Sequence, residues 1–342
     1  MTHIARTSQI PIITQVKASE FPPVSVTQLR VQMVGDGLGQ IIHLPVVVIR
    51  GAEPGPTVGV TAAIHGNELN GVQIVHQLIR EIEPESLRGT IIAVPVVNVP
   101  GYLRGERHFN DGTDLNRLMP GKARGTPSVV YAHRFMTRVA AEFEYLIDLH
   151  TASSGRINSL YVRADLTHPE TAWMALAQNP QIIVHNVGGD GTLRSAAMER
   201  GIPSITVEVG NPARFQKKLV SAGVVGVTNV LSHLRMIEPA ETQVESAPVV
   251  CKSSYWMYSE AGGILEVLPG LAQFVHEGDV VARVSDVFGN LVDQYAAPTA
   301  GIVVGKSINP VNQTGSRVIH IGVPAGPEDA SKFKLSPGAF SR

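Results

Sequence analysis

The chain has 342 residues, 44% of them hydrophobic and 17% charged, with a formal net charge of −1. That length holds a catalytic domain plus a smaller module, and the near-neutral charge offers no basic surface to nucleic acid or an anionic membrane. One cysteine, Cys251, excludes an internal disulfide framework and fits a reducing compartment, where it is expected to be an inert packed residue.

Met1-Thr-His-Ile-Ala-Arg6 lacks a charged segment followed by an apolar core, so no secretory signal is expected. No apolar run reaches the roughly 20 residues that span a bilayer, and a cytoplasmic protein is expected. Residues 1–45 read as a β-like extension with a hairpin at Gly35-Asp-Gly-Leu-Gly39. A strand is expected over 44–50 and a turn at Ala52-Glu-Pro-Gly-Pro56. From Thr57 an apolar, β-branched run ends abruptly at His65-Gly-Asn-Glu68, and a helical pattern opens over 68–83, stopped by Pro84. Residues 90–97 are nearly all apolar, the mark of a strand covered on both faces.

Residues 98–126 are polar, irregular and dense in Gly, Pro, Arg and Asn, as functional loops often are. Helical spacing returns over 129–143, and a buried strand over 144–150 ends in His150. Short strands are expected at 160–162 and 182–184 with a helix over 168–178 between them. Thr192 is placed to cap a helix over 192–200, a strand over 202–210 carries Glu208, and residues 212–236 read as helix. Alternating strands and helices predict an α/β sheet with its active loops at one edge.

Residues 238–248 read as a linker, and beyond them short apolar segments alternate with Gly-rich turns, which predicts a small all-β barrel. The expected division is a catalytic domain at 1–240, a barrel at 241–328 and a loose tail at 329–342.

Three expected strand ends carry polar groups: His65 with Glu68, His150, and Glu208. Two imidazoles and one carboxylate are the ligand set of a catalytic zinc site, which keeps a position for water. Such a metal lowers the pKa of its water and polarises a carbonyl, and Glu208 is the natural proton acceptor beside it. A core role for His150, or pairing of Glu208 with a buried arginine, is the competing reading of each residue alone. In the irregular loop, Asn116 and Arg117 with Arg104 and Arg107 upstream are candidate anion receptors, as is Arg194.

His65-Gly-Asn-Glu68, Asp114-Leu-Asn-Arg117, Asp148-Leu-His150 and Thr206-Val-Glu-Val-Gly210, in that order, resemble the succinylglutamate desuccinylase/aspartoacylase family, within the zinc carboxypeptidase-like superfamily. The resemblance covers about residues 45–235. It implies a mixed central sheet flanked by helices, one zinc ion held by His65, Glu68 and His150, and Glu208 as general base. It further implies that Arg107, or Arg104, polarises the scissile carbonyl. Asn116, Arg117 and Arg194 would bind a substrate carboxylate. Asn67 stands where the family usually has aspartate, so charge beside the metal is lower by one. Within the family the chain looks closer to a bacterial branch of deacylases that includes N-acetyl-diaminobutyrate deacetylases.

Val275-His-Glu-Gly-Asp-Val-Val-Ala282 and Ala297-Pro-Thr-Ala-Gly-Ile302 resemble biotinyl/lipoyl-like barrels. The hairpin tip between them, Ser285-Asp-Val-Phe-Gly-Asn290, has no lysine, so a carrier role is rejected in favour of shaping the pocket mouth or an oligomer contact. The expected activity is zinc-dependent hydrolysis of a small N-acyl amino acid, with further copies of the chain as partners. A metallocarboxypeptidase acting on short peptides, or a catalytically silent metal- or carboxylate-binding protein, are the alternatives.

Overall fold

The structure is a computed structural model and describes residues 10–238, 247–329 and 331–335. Residues 1–9, where no secretory signal is expected, most of the linker and most of the tail lie outside the described residues.

The chain opens with β1 (Ile12–Ile13), the hairpin of β2 (Ser25–Gly35) and β3 (Ile41–Arg50), and β4 (Glu53–Ala62). Next come α1 (Asn70–Glu81), β5 (Arg88–Val94), α2 (Val99–Arg104) and α3 (Pro127–Arg138). β6 (Tyr145–His150), β7 (Arg156–Asn158), β8 (Leu160–Ala164), α4 (Pro169–Ala177) and β9 (Ile182–His185) follow. The part before the linker closes with α5 (Leu193–Met198), β10 (Ser204–Val209) and α6 (Lys217–His233). After residue 247 the strands are β11 (Val249–Tyr258), β12 (Gly263–Val267), β13 (Phe274–Val275) and β14 (Val280–Ser285). They continue through β15 (Leu291–Ala296), β16 (Gly301–Ser307), β17 (Val311–Asn312) and β18 (Arg317–Pro324).

One large mixed sheet runs β1-β2-β3-β5-β4-β6-β10-β8-β9-β11-β18-β16-β13, with β7 attached to β16. Its centre, β4-β6-β10, is parallel, and β8 runs antiparallel to β10. Val58, Val60, Ile147, Leu149, Val207 and Val209 are buried there, which is why these strands read as continuous apolar runs. On one face α1 and α6 pack together, Val72, Val75 and Leu78 of α1 joining Val220, Val224 and Val227 of α6 in one core. Leu44, Val46, Phe135, Met136 and Leu146 build the core on the other face.

Two local expectations change. Residues 52–56 are not a free turn, because Glu53 pairs with Arg88 and a register shift before Thr57 absorbs Pro54 and Pro56, which cannot donate to the ladder. The irregular stretch 98–126 contains α2, which is capped by the Asn98 side chain accepting from Gly101 N and ended by left-handed Gly105. The C-terminal strands form two sheets around a core that includes Leu265, Val281, Val284, Val303, Ile319 and Ile321. One of these sheets is β15-β14-β12-β17. The other continues the main sheet, because β11 pairs in parallel with β9 from Val249↔Ile182 onward. That pairing covers an edge that four-residue β9 would otherwise leave open.

Candidate active site

β4, β6 and β10 end side by side at one edge of the sheet. Ala62 pairs with Leu149, and Glu208 pairs with His150, so the two polar residues share a level and a face. Beyond β4 the backbone turns at Ala63, whose φ is +50°, and Glu68 N closes onto His65 O at 3.1 Å. This tight turn brings the His65 and Glu68 side chains to the end of β6. Gly66 lets α2 approach, since a Cβ there would lie 2.0 Å from the carbonyl carbon of Gly101 and 2.1 Å from Tyr102 N. Both obstacles are backbone and cannot swing aside. Gly66→Ala is therefore expected to destabilise the fold by about 1–3 kcal/mol, read as a lowered denaturant midpoint; an unchanged midpoint would show that the loop relaxes freely.

His65, Glu68 and His150 each offer one donor atom, all within 4.8 Å of one another. They are 4%, 1% and 3% exposed, so water does not solvate this charge. Each imidazole spends its outer nitrogen on a carboxylate: His150 Nε2 lies 2.8 Å from Asp148 Oδ2, and His65 Nε2 lies 3.2 Å from Asp114 Oδ1. Both Nδ1 atoms then face Glu68, at 2.8 Å for His65 and 3.0 Å for His150. His65 Nδ1, although that near, is buried without an aligned hydrogen bond. A lone pair held against a carboxylate oxygen out of line is what two ligands of one cation do, and carboxylate-buttressed histidines are the usual company of a metal. The donor set fits a divalent ion. Burial alone would raise the Glu68 carboxyl; the charge of His65 and a hydrogen bond from His150 outweigh it and hold it well below the usual range.

Asp148 is fully buried and also accepts from Thr61 Oγ1 at 2.6 Å, which fixes its orientation. Asp148→Asn is expected to weaken metal affinity about 10–100-fold, measured by competition with a chromophoric chelator; wild-type affinity would show that His150 needs no buttress.

A cavity of about 300 Å³ opens over this group, lined by every expected site residue except Arg104: Arg107, Asn116, Arg117, Arg194 and Glu208 as well as the three donors. Arg107 holds Asp114 Oδ2 through Nη2 at 2.8 Å and reaches Glu68 Oε1 through Nη1 at 3.2 Å. Arg104 pairs at the surface with Glu106 at 2.9 Å, so Arg107 is the arginine that borders the donors. Asn116 Oδ1 accepts from Leu193 N at 2.7 Å, tying the loop to the start of α5, and Thr192 caps that helix through Ser195 N. Arg194, 2% exposed, donates to the Asn186 backbone oxygen at 3.0 Å and to its side chain. Glu208 Oε2 accepts from Asn158 Nδ2 at 3.1 Å. Burial pushes the Glu208 carboxyl up, against the pull of His150 and with the repulsion of Glu68. A raised carboxyl suits a group that must both take and give a proton.

Asn67 stays outside the donor set and gives its amide to Ser154 Oγ at 3.0 Å. Cys251 is fully buried, and burial pushes its thiol up to about 12, so it is inert as expected. Residues that sequence reasoning passed over also line the cavity, among them Arg156, Arg163, Trp256, Arg317 and His320. The buttressing role of Asp148 had a readable signal, since a residue two before His150 on a strand shares its face.

Among the described residues no helix is long and apolar enough to cross a membrane. The chain is similar to N-alpha-acetyl-L-2,4-diaminobutyric acid deacetylase of Halomonas elongata, 26% identical over 78% of this chain and 81% of that protein. It is 27% identical to succinylglutamate desuccinylase of Burkholderia cenocepacia, but over only 55% of this chain and 57% of that one. In fold it matches the product-bound ectoine utilization protein EutE (DoeB) of Ruegeria pomeroyi, with a TM-score of 0.80 at 24% identity, covering 89% of this chain and 98% of that one. The sequence model of the succinylglutamate desuccinylase/aspartoacylase catalytic domain matches residues 54–234, just over half of the chain, and the chain belongs to that family.

Proposed function

We propose that this protein hydrolyses the amide bond of a small N-acylated amino acid, with one zinc ion per chain held by His65, Glu68 and His150. The observation that carries the reading is the buried trio of donors within 4.8 Å, with Glu208 in register beside His150. Two histidines and a carboxylate suit zinc with a vertex left open. When bound, the ion supplies Lewis acidity, which activates water and polarises the carbonyl. Glu208 accepts the proton from the attacking water and returns it to the leaving nitrogen, aided by Asn158, which steadies one carboxylate oxygen. Arg107, whose Nη1 borders Glu68, donates to the carbonyl oxygen as negative charge builds there. Asn116, Arg117 and Arg194 orient the substrate carboxylate, the planar guanidinium forks matching its two oxygens.

The named activities of the Halomonas and Burkholderia relatives, deacetylation and desuccinylation of N-acyl amino acids, support this class of reaction. We assign the chemistry to residues 1–240 and a non-carrier role to 241–328, whose hairpin tip presents Val287 and Phe288, 80% and 88% exposed, and no lysine. The test is hydrolysis by the zinc-loaded protein of a panel of N-acyl amino acids against dipeptides. Release of amine from the acyl amino acids is expected; turnover of dipeptides alone would make the protein a carboxypeptidase, and none of either would leave a silent binder.

A further inference from the structure

Arg194 is the buried arginine of the substrate-binding set, 2% exposed where Arg117 is open to solvent. Its guanidinium is aimed by Asn186, whose backbone oxygen accepts from Nη1 at 3.0 Å and whose side-chain oxygen accepts from Nη2. Whatever fixes Asn186 therefore fixes Arg194. On the C-terminal side the chain is loosely held: Val187 is 65% exposed, Gly188 and Gly189 stand at φ +98° and +82°, and a Cβ on Gly189 would meet nothing within 4 Å. The first tie there is Gly189 N, which donates to Ser195 Oγ at 2.5 Å. On the N-terminal side Asn186 N donates to Ala164 O at 2.9 Å, and His185 ends β9, a strand of only four residues. Short strand ends with few apolar contacts open readily.

His185 is where the far end of the chain arrives. Phe333, 6% exposed, lays its ring against the His185 imidazole, with 4.8 Å between centroids and 47° between planes. Backbone bonds knot the same junction. Leu166 N donates to His185 Nδ1 at 3.1 Å, and Lys334 N donates to Leu166 O at 2.8 Å. Phe333 and Leu335 belong to the main apolar core, together with Leu166, Ala172 and Val250. Upstream, Ala325 N donates to Val250 O at 2.8 Å, and the buried Asp329 accepts from Gly326 N at 3.1 Å. The chain thus leaves β18, turns back toward the part before the linker and closes on the last residue of β9.

We propose that residues 331–335 form a strap that positions Arg194: Phe333, acting through His185 and Asn186, holds the guanidinium in the orientation that receives the substrate carboxylate. This rests on the deacylase reading and on the place given there to Arg194. Phe333 is a positioning residue and touches no substrate. A donor already held in its bound orientation captures a carboxylate without the entropy loss of ordering it on arrival. Losing the strap therefore weakens substrate binding before it slows the chemical step, because His150 and Glu208 stand on other strands, β6 and β10.

The test combines steady-state kinetics on an N-acyl amino acid that the zinc-loaded enzyme hydrolyses with amide hydrogen exchange. Phe333→Ala is expected to raise KM about tenfold while kcat stays within about threefold of wild type. Phe333→Leu, which keeps most of the apolar volume, should recover most of the KM. Leu265→Ala, in the separate core of the C-terminal strands, is the control for lost stability and should leave KM unchanged. In an Arg194→Gln background, where KM is already raised, Phe333→Ala should add less than about twofold, since residues that act through one group are not additive. Exchange at residues 186–191 should quicken in Phe333→Ala and not in Leu265→Ala. An unmoved KM in Phe333→Ala, an equal rise in Leu265→Ala, or the full rise repeated on top of Arg194→Gln overturns the strap while the deacylase reading stands. Unchanged exchange at residues 186–191 overturns it independently of any substrate. A wild type that hydrolyses no N-acyl amino acid overturns both readings.

Discussion

Glu208→Gln is expected to lower kcat about 10²–10⁴-fold while the protein still binds its metal and unfolds at the wild-type midpoint. The replacement keeps shape and volume. Its amide oxygen can still accept from Asn158 Nδ2, which holds the carboxylate at 3.1 Å. What disappears is the ability to take a proton from water and return it to nitrogen. Because Glu208 lies outside the donor trio, zinc stoichiometry serves as an independent readout. Lost turnover with one ion per chain retained is the expected pair of results. Turnover within about threefold of wild type would remove Glu208 from the mechanism, and loss of metal along with activity would make it a ligand.

Much of this site could be read from the chain alone, for a physical reason. A polar or charged side chain at the end of an apolar, β-branched run is costly unless it is used, so His65, His150 and Glu208 stand out without any coordinates. The doubly buried strands β4, β6 and β10 gave the α/β sheet in the same way. Strand order was not legible, because pairing between distant segments leaves no local trace. Nothing around Val249–Cys251 shows that this segment pairs with Ile182–Val184, yet that pairing carries Trp256 and His320 to the cavity. Arg156 was hidden for a related reason: β7 is three residues long and holds its shape only through pairing with β16. The helix Val99–Arg104 was a different kind of miss. Asn98, Pro100 and Gly105 are ordinary cap and stop signals, masked by the polar loop around them.

Removing the metal is expected to abolish hydrolysis and lower the thermal midpoint, and zinc should restore both. The structural reason is the same for the two losses. The imidazoles of His65 and His150 are held by Asp114 and Asp148, so their remaining nitrogens stay turned toward Glu68 whether or not a cation lies between them. A prearranged buried trio of this kind binds an ion in the folded state far better than in the unfolded chain. A ligand at 100–1,000 times its Kd adds about 2.7–4.1 kcal/mol of stability. At about 2–4 °C per kcal/mol for a domain of this size, stripping zinc should lower the midpoint on the order of 5–15 °C. Glu68→Gln sharpens the measurement, because it withdraws the shared carboxylate from both imidazoles. Its midpoint should respond little to added zinc, whereas that of Glu208→Gln should respond as the wild type does. A chelated wild-type protein that keeps its activity, or a Glu68→Gln variant that zinc stabilises fully, would show that the ion binds elsewhere, and the hydrolytic reading of His65, Glu68 and His150 would go with it.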